Sequence, residues 1–215
     1  MVNSDIDAKT SKILTQTYAI VSTGFVTFGA GLFFSQYINP IAAAAICVAA
    51  FISAFMMLCT TSSNLKMCYI SLFAFGIGLS GGYYCQRYQL VDKEIVLVAL
   101  CTIAIFVGVT VAAFFSRNLY VFYGVALVGC SFLYLVSAIY FLFTWGMTTL
   151  FFLFSLTFVM DVIVLLMDTQ KIIALIENGQ TDPFPLSFIL LSDAFEIFID
   201  LVKIVSSLKK DKNEK

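Results

Sequence analysis

The feature that most constrains this chain is the length of its uncharged stretches. No Asp, Glu, Lys or Arg lies between Lys12 and Lys66, a gap of 53 residues. A second stretch, 118–160, is uncharged for 43 residues. A soluble domain that is 61% hydrophobic and 12% charged has too little interior to hide its apolar surface. Lipid is the natural sink, and there every backbone N–H and C=O must be satisfied within a helix or a closed barrel. Barrel strands alternate polar and apolar residues, whereas these runs are continuously apolar. The fold class that follows is an all-α integral membrane protein.

One span takes about 20 apolar residues. The first uncharged stretch therefore holds two spans, near 13–36 and 41–59, with a turn at Tyr37-Ile38-Asn39-Pro40. Single spans fall near 67–86 and 95–115. The second stretch holds two more, near 119–141 and 148–168, turning at Thr144-Trp145-Gly146. The run Glu177-Asn178-Gly179-Gln180-Thr181-Asp182-Pro183 has turn chemistry, and a last apolar helix follows near 186–208. The organisation expected is a polar segment 1–12, one transmembrane domain 13–208 and a Lys-rich tail 209–215. A seven-transmembrane-helix bundle is one reading; six spans plus a re-entrant last helix is the other. The positive charges do not choose between them. With seven crossings, Lys9, Lys12, Lys66, Arg117 and Lys171 fall on one side, against Arg87, Lys93, Lys203 and the tail lysines on the other. With a re-entrant last segment, nearly all of them share the side of the two termini.

Several function classes drop out early. A net charge of −1 gives no reason to invoke nucleic acid. Six cysteines stand singly, with no spacing that suggests a disulfide framework or a zinc site, and read as small buried hydrophobes. There is no His, which removes His-ligated metals, Ser-His-Asp and Cys-His catalysis and the usual proton switch. The polar opening segment does not read as a cleaved signal peptide. Gly78 and Gly82, in Gly76-Ile77-Gly78-Leu79-Ser80-Gly81-Gly82, have the spacing that lets two helices approach closely. Packing within the chain is expected there in preference to a dimer face.

Five acids fall where acids facing lipid are not tolerated: Asp161, Asp168, Asp193, Glu196 and Asp200. Asp161 and Asp168 are seven residues apart and share a helical face. Asp193, Glu196 and Asp200, at i, i+3 and i+7, read as one stripe. A charge at bilayer depth costs about 2.5–3.5 kcal/mol on insertion scales and marks an ion or proton pathway by default. Two carboxylates in contact at low dielectric do not both ionise easily; they share a proton and titrate as a pair. Such a pair is a pH-sensitive latch, holding two helices together when protonated and repelling or admitting a cation when ionised. Carboxylate oxygens suit Ca²⁺, which also wants carbonyls and waters, and no preformed cage such as an EF-hand loop is present. The blander alternatives are neutral hydrogen-bond glue, or a charge stripe of Glu196, Asp200 and Lys203 near a helix end.

These residues carry a resemblance. Val164-Leu165-Leu166-Met167-Asp168-Thr169-Gln170, with Ile172-Ile173 and the turn Glu177-Asn178-Gly179, resembles the hydrophobic–Asp-Thr-Gln signature of the Bax inhibitor-1 (TMBIM) family. The run Leu190-Leu191-Ser192-Asp193-Ala194-Phe195-Glu196-Ile197-Phe198-Ile199-Asp200-Leu201-Val202-Lys203 is similar to that family's final segment, and Phe73-Ala74-Phe75 to its third helix. The resemblance covers essentially the whole chain. It implies a seven-helix membrane protein with a di-aspartyl pair, a pH-gated Ca²⁺ leak, and a cell-death-suppressing role in eukaryotic members. By position the pair, and the tentative Ca²⁺ ligands, are Asp168 and Asp193, which lie 25 residues apart. Asp200 also has a plausible register, with an intervening segment about eight residues too long for the family. Asp161, Glu196 and Asp200 form a supporting acidic stripe. Members often carry a basic residue just after the second helix; here that stretch reads Thr60-Thr61-Ser62-Ser63-Asn64. Lys66 is the nearest cation and, with Lys203, a candidate partner for the carboxylates.

The leading expectation is a passive, pH-sensitive Ca²⁺ (cation) leak channel. It has no catalytic residues and no bound cofactor, and its partners are the bilayer, Ca²⁺ and protons. A second is a non-conducting scaffold for other membrane proteins. A third, a retinal-type proton pump or sensor, needs a mid-membrane Lys, and Lys203 sits near the helix end. An intramembrane aspartyl hydrolase lacks its Gly-Asp context. A bacterial inner membrane and an endoplasmic reticulum membrane both fit.

Overall fold

A computed structural model describes residues 8–115, 120–144 and 146–213. Residues 1–7 of the polar opening segment, Arg117, Trp145 of the fifth turn and the end of the Lys-rich tail lie outside the described residues. Those described form seven α-helices and no strand. They are α1 (Ala8–Phe34), α2 (Pro40–Cys59), α3 (Ser63–Arg87), α4 (Asp92–Phe115), α5 (Tyr120–Thr144), α6 (Met147–Glu177) and α7 (Pro183–Asn213). Six are long and apolar enough to cross a membrane. The seventh, α7, is an unbroken helix of 31 residues, about 46 Å at the usual rise. Asp193, Glu196, Asp200 and Lys203 in its middle set it apart in composition.

Local chemistry sets the helix ends. Asn39, in extended backbone, accepts from the Ile41 N–H at 3.0 Å, and Pro40 opens α2 where its missing N–H costs nothing. At α4 the geometry is reversed: Glu94, inside the first turn, reaches back to accept from the Val91 N–H at 2.9 Å. At the end of α6, Gly179 takes φ 100°, and the Gln180 N–H bonds back to the Leu175 carbonyl at 3.0 Å. Asp182 then accepts from the Phe184 N–H at 3.1 Å, and Pro183 starts α7. Within the helices, hydroxyls bond to the carbonyl one turn back, as Thr17 to Ile13, Thr102 to Val98 and Thr169 to Leu165. That leaves no hydroxyl of these three unsatisfied in an apolar setting.

The helices group into two compact units, with α3, α6 and α7 contributing to both. The first comprises the chain up to Tyr83 with Lys171–Ser192. In it α1 and α3 touch backbone to backbone. A Cβ on Gly78 would lie 2.2 Å from the Phe28 carbonyl oxygen, and one on Gly31 would lie 2.3 Å from that of Phe75. Gly82 packs against the Ser35 side chain, so the Gly78 and Gly82 contacts are both made within the chain. The start of α7 enters this unit through Leu191 against Gly24, Phe188 against Phe73, and the Ser187 hydroxyl on the Thr17 carbonyl at 3.1 Å. Lys66 forms an ion pair with Asp182 and lies over the Phe184 ring. A cavity of about 570 Å³ adjoins that pair, edged by Gln16, Thr61, Ser63 and Thr181 and by Ile20 and Phe184.

The second unit comprises Tyr84–Gln170 with Asp193–Lys215. Here α4 presents a buried stripe of Val98, Thr102, Phe106, Thr110 and Ala113. Lys209, near the end of α7, donates to the Gln89 carbonyl and the Glu94 carboxylate, tying α7 to the turn before α4. On α5 no residue of the most apolar stretch is buried, which suits a helix bathed in lipid.

Three outcomes follow for purified protein unfolded by heat in detergent. Gly78→Ala forces a methyl into a backbone carbonyl and should cost about 1–3 kcal/mol. Gly108→Ala, where nothing lies within 4 Å, should be neutral or stabilising. Asp182→Ala removes a helix cap and leaves Lys66 unpaired; the cap alone should cost about 1 kcal/mol. Equal melting temperatures for Gly78→Ala and Gly108→Ala would refute the α1–α3 contact.

Candidate functional site

Between Met147 and Lys203, the charged side chains of α6 and α7 that fall in the second unit are Asp161, Asp168, Asp193, Glu196, Asp200 and Lys203. α6 and α7 are joined by the tight Gly179–Pro183 turn and run antiparallel, so acids on facing stripes meet in a ladder. Asp161 on α6 interacts with Asp200, Glu196 and Lys203 on α7. Glu196 interacts with Asp200, Asp168 and Lys203. Asp168 and Asp193 each lie two turns along their own helix from the Asp161–Asp200 contact, about 10 Å, and Asp168 also interacts with Glu196.

Burial differs along the ladder. Asp200 is 3% exposed and Asp193 7%. Asp161 and Asp168 are half-buried, while Glu196 is exposed. The stripe expected of Asp193, Glu196 and Asp200 therefore divides: its two aspartates turn inward and its glutamate outward. The less buried face of α7 runs Ser192, Phe195, Ile199 and Lys203, all half-buried, with Glu196 exposed among them. Lys203 Nζ sits 2.6 Å from Asp200 Oδ1. The other Asp200 oxygen, Oδ2, is buried without a hydrogen-bond partner among the described residues. Beyond the helices, Tyr88 stacks on Tyr84, and burial, helped by the Tyr84 hydrogen bond, pushes its phenol above the ordinary value.

Of the two expected basic partners, Lys203 meets the carboxylates and Lys66 does not. Lys66 belongs to the first unit, where Asp182 holds it. Its place in the chain, just after the second helix, suggested otherwise. The missed signal was Asp182 before Pro183, a helix-cap position that also leaves a carboxylate oxygen available to a lysine. The Asp161–Asp200 rung was legible as a mirror: Asp161 lies seven residues before Asp168, and Asp200 seven after Asp193. Among the described residues, no group of three or more acidic or sulfur side chains converges in a metal-holding arrangement. A cation meeting these carboxylates takes carbonyls or waters for the rest of its shell.

Comparison with known proteins agrees with this architecture. Residues 10–210 match the family model described as inhibitor of apoptosis-promoting Bax1. The chain is similar to a Bax inhibitor 1 homolog of Dictyostelium discoideum, at 26% identity over 99% of this chain and 87% of that protein. With that match, and six helices able to cross a bilayer, this chain is an integral membrane protein that belongs to the Bax inhibitor-1 family.

Proposed function

We propose that this protein is a passive, pH-sensitive cation leak, with Ca²⁺ as the conducted ion and the α6–α7 carboxylates as its ion- and proton-binding groups. Family membership suggests a cell-death-suppressing or ion-homeostasis role, and a regulated cation leak is a physical means to either. The observation that carries the reading is that Asp161, Glu196 and Asp200 interact with one another, and Glu196 with Asp168 as well. Asp161, Glu196 and Asp200 share one lysine, Lys203. Such an excess of negative charge, held away from bulk water, is relieved by binding protons or cations. Asp168 and Asp193 form the primary pair, and Asp161, Glu196 and Asp200 extend the path toward the other rung. Protons and Ca²⁺ compete for the same oxygens, so conduction varies with pH.

A non-conducting scaffold is the second reading, and the bare apolar surface of α5 is what favours it. One experiment separates the two: Ca²⁺ entry into proteoliposomes of purified protein across pH 5 to 8, wild type beside Asp168→Asn/Asp193→Asn. A leak that changes with pH in the wild type and loses that dependence in the double variant is expected. No entry above protein-free vesicles at any pH leaves the scaffold. In the single variants, Asp168→Asn and Asp193→Asn should each shift the pH at half-maximal flux, because the shared proton loses one of its two sites.

A further inference from the structure

We infer that Lys203 is a tethered cation that occupies Asp200 in place of the conducted ion and so acts as a built-in brake. The inference rests on the cation-leak reading and adds to it a residue that sets how much of the path is open.

Three observations converge on this side chain. Its ammonium lies 2.6 Å from Asp200 Oδ1, a carboxylate whose side chain is 4% exposed. Asp161 and Glu196 also act on it, so one ammonium answers three carboxylates. The Lys203 side chain itself is 22% exposed. It reaches a groove of about 390 Å³ between α5 and α6, whose walls include Leu135, Ile139, Leu142, Leu150 and Phe154. The ammonium lies 5.8 Å from the centre of the Phe154 ring, within range of a cation–π attraction.

The ammonium meets Asp200 and the Phe154 ring in one position, with its four-carbon stem along the apolar walls of the groove. Held there, it gives Asp200 its own counterion and leaves an incoming cation less charge to bind. Asp161 faces Asp200 from α6 and Tyr88 faces the lysine from the α3–α4 turn, and neither brings positive charge. A lysine is suited to this as an arginine is not, because a compact ammonium replaces a single ion without a bidentate grip on the carboxylate.

The test uses full-length protein in proteoliposomes, with Ca²⁺ flux read against Ca²⁺ concentration. Lys203→Met keeps the stem and removes the charge. Flux at low Ca²⁺ should rise roughly fivefold, through a lower half-saturating concentration, which is the factor expected when a modest ion pair stops competing. Lys203→Arg should leave flux at or below the wild-type level. Lys203→Ala should leak like the Met variant and be returned toward wild-type flux by n-propylammonium in the medium, which supplies the missing stem and charge. The same amine should leave wild type unchanged. A lysine that served packing alone would not give that rescue. Flux in Lys203→Met and Lys203→Ala equal to or below wild type, with melting temperatures unchanged, overturns the brake and leaves the carboxylate leak standing. If Lys203→Met misfolds, Lys203→Ala with and without the amine decides alone. Absence of flux in every variant, wild type included, removes the leak and the brake together.

Discussion

The structure depends on where it puts negative charge that lipid does not accept. Each carboxylate left facing hydrocarbon costs about 3 kcal/mol. Five of them would offset most of the ~5–15 kcal/mol by which a domain stays folded. The chain meets this by facing α6 and α7 along one register. Asp200 and Asp193 turn inward, Asp161 lies opposite Asp200, and Lys203 supplies one compensating charge. Glu196, two turns before that lysine on α7, stays exposed.

Around this the apolar helices solve a different problem. Lipid supplies no hydrophobic drive between helices, so contact must come from close packing and hydrogen bonds. Gly31 and Gly78 bring α1 and α3 into backbone contact, and the Ser187 hydroxyl bonds to the Thr17 carbonyl. On α2, Cys47 sits 3.0 Å from the Ser80 hydroxyl and bonds the Gly76 carbonyl, so a thiol here joins two helices. The ion pair of Lys66 and Asp182 fixes the start of α7 in the first unit, just as Lys209 fixes its end in the second.

Much of the fold was legible because it follows from solvent. An uncharged run of 53 residues has few fates, and turn residues such as Asn39-Pro40 and Gly179 mark where the chain reverses. The helices run past the expected spans, α6 to Glu177 where 168 was expected and α7 to Asn213 where 208 was expected. Hydropathy marks where lipid ends, and a helix with satisfied caps continues beyond that point. The acids of the site were legible as well, since an acid amid twenty apolar residues stands out in any sequence. Their ranking was not. Asp200 read as a supporting residue, yet it is the most buried of the five and the one that meets the lysine.

By itself the sequence determined that this is a membrane protein of apolar helices whose last two carry carboxylates. Hydrophobicity and charge act through composition, and composition is local. Which acid faces which, that Glu196 turns outward, and that Lys66 belongs to Asp182 while Lys203 belongs to Asp200, only the tertiary structure decided. Those pairings depend on rotation and register between helices. A shift of one residue turns a side chain by about 100°, and no local pattern fixes that angle.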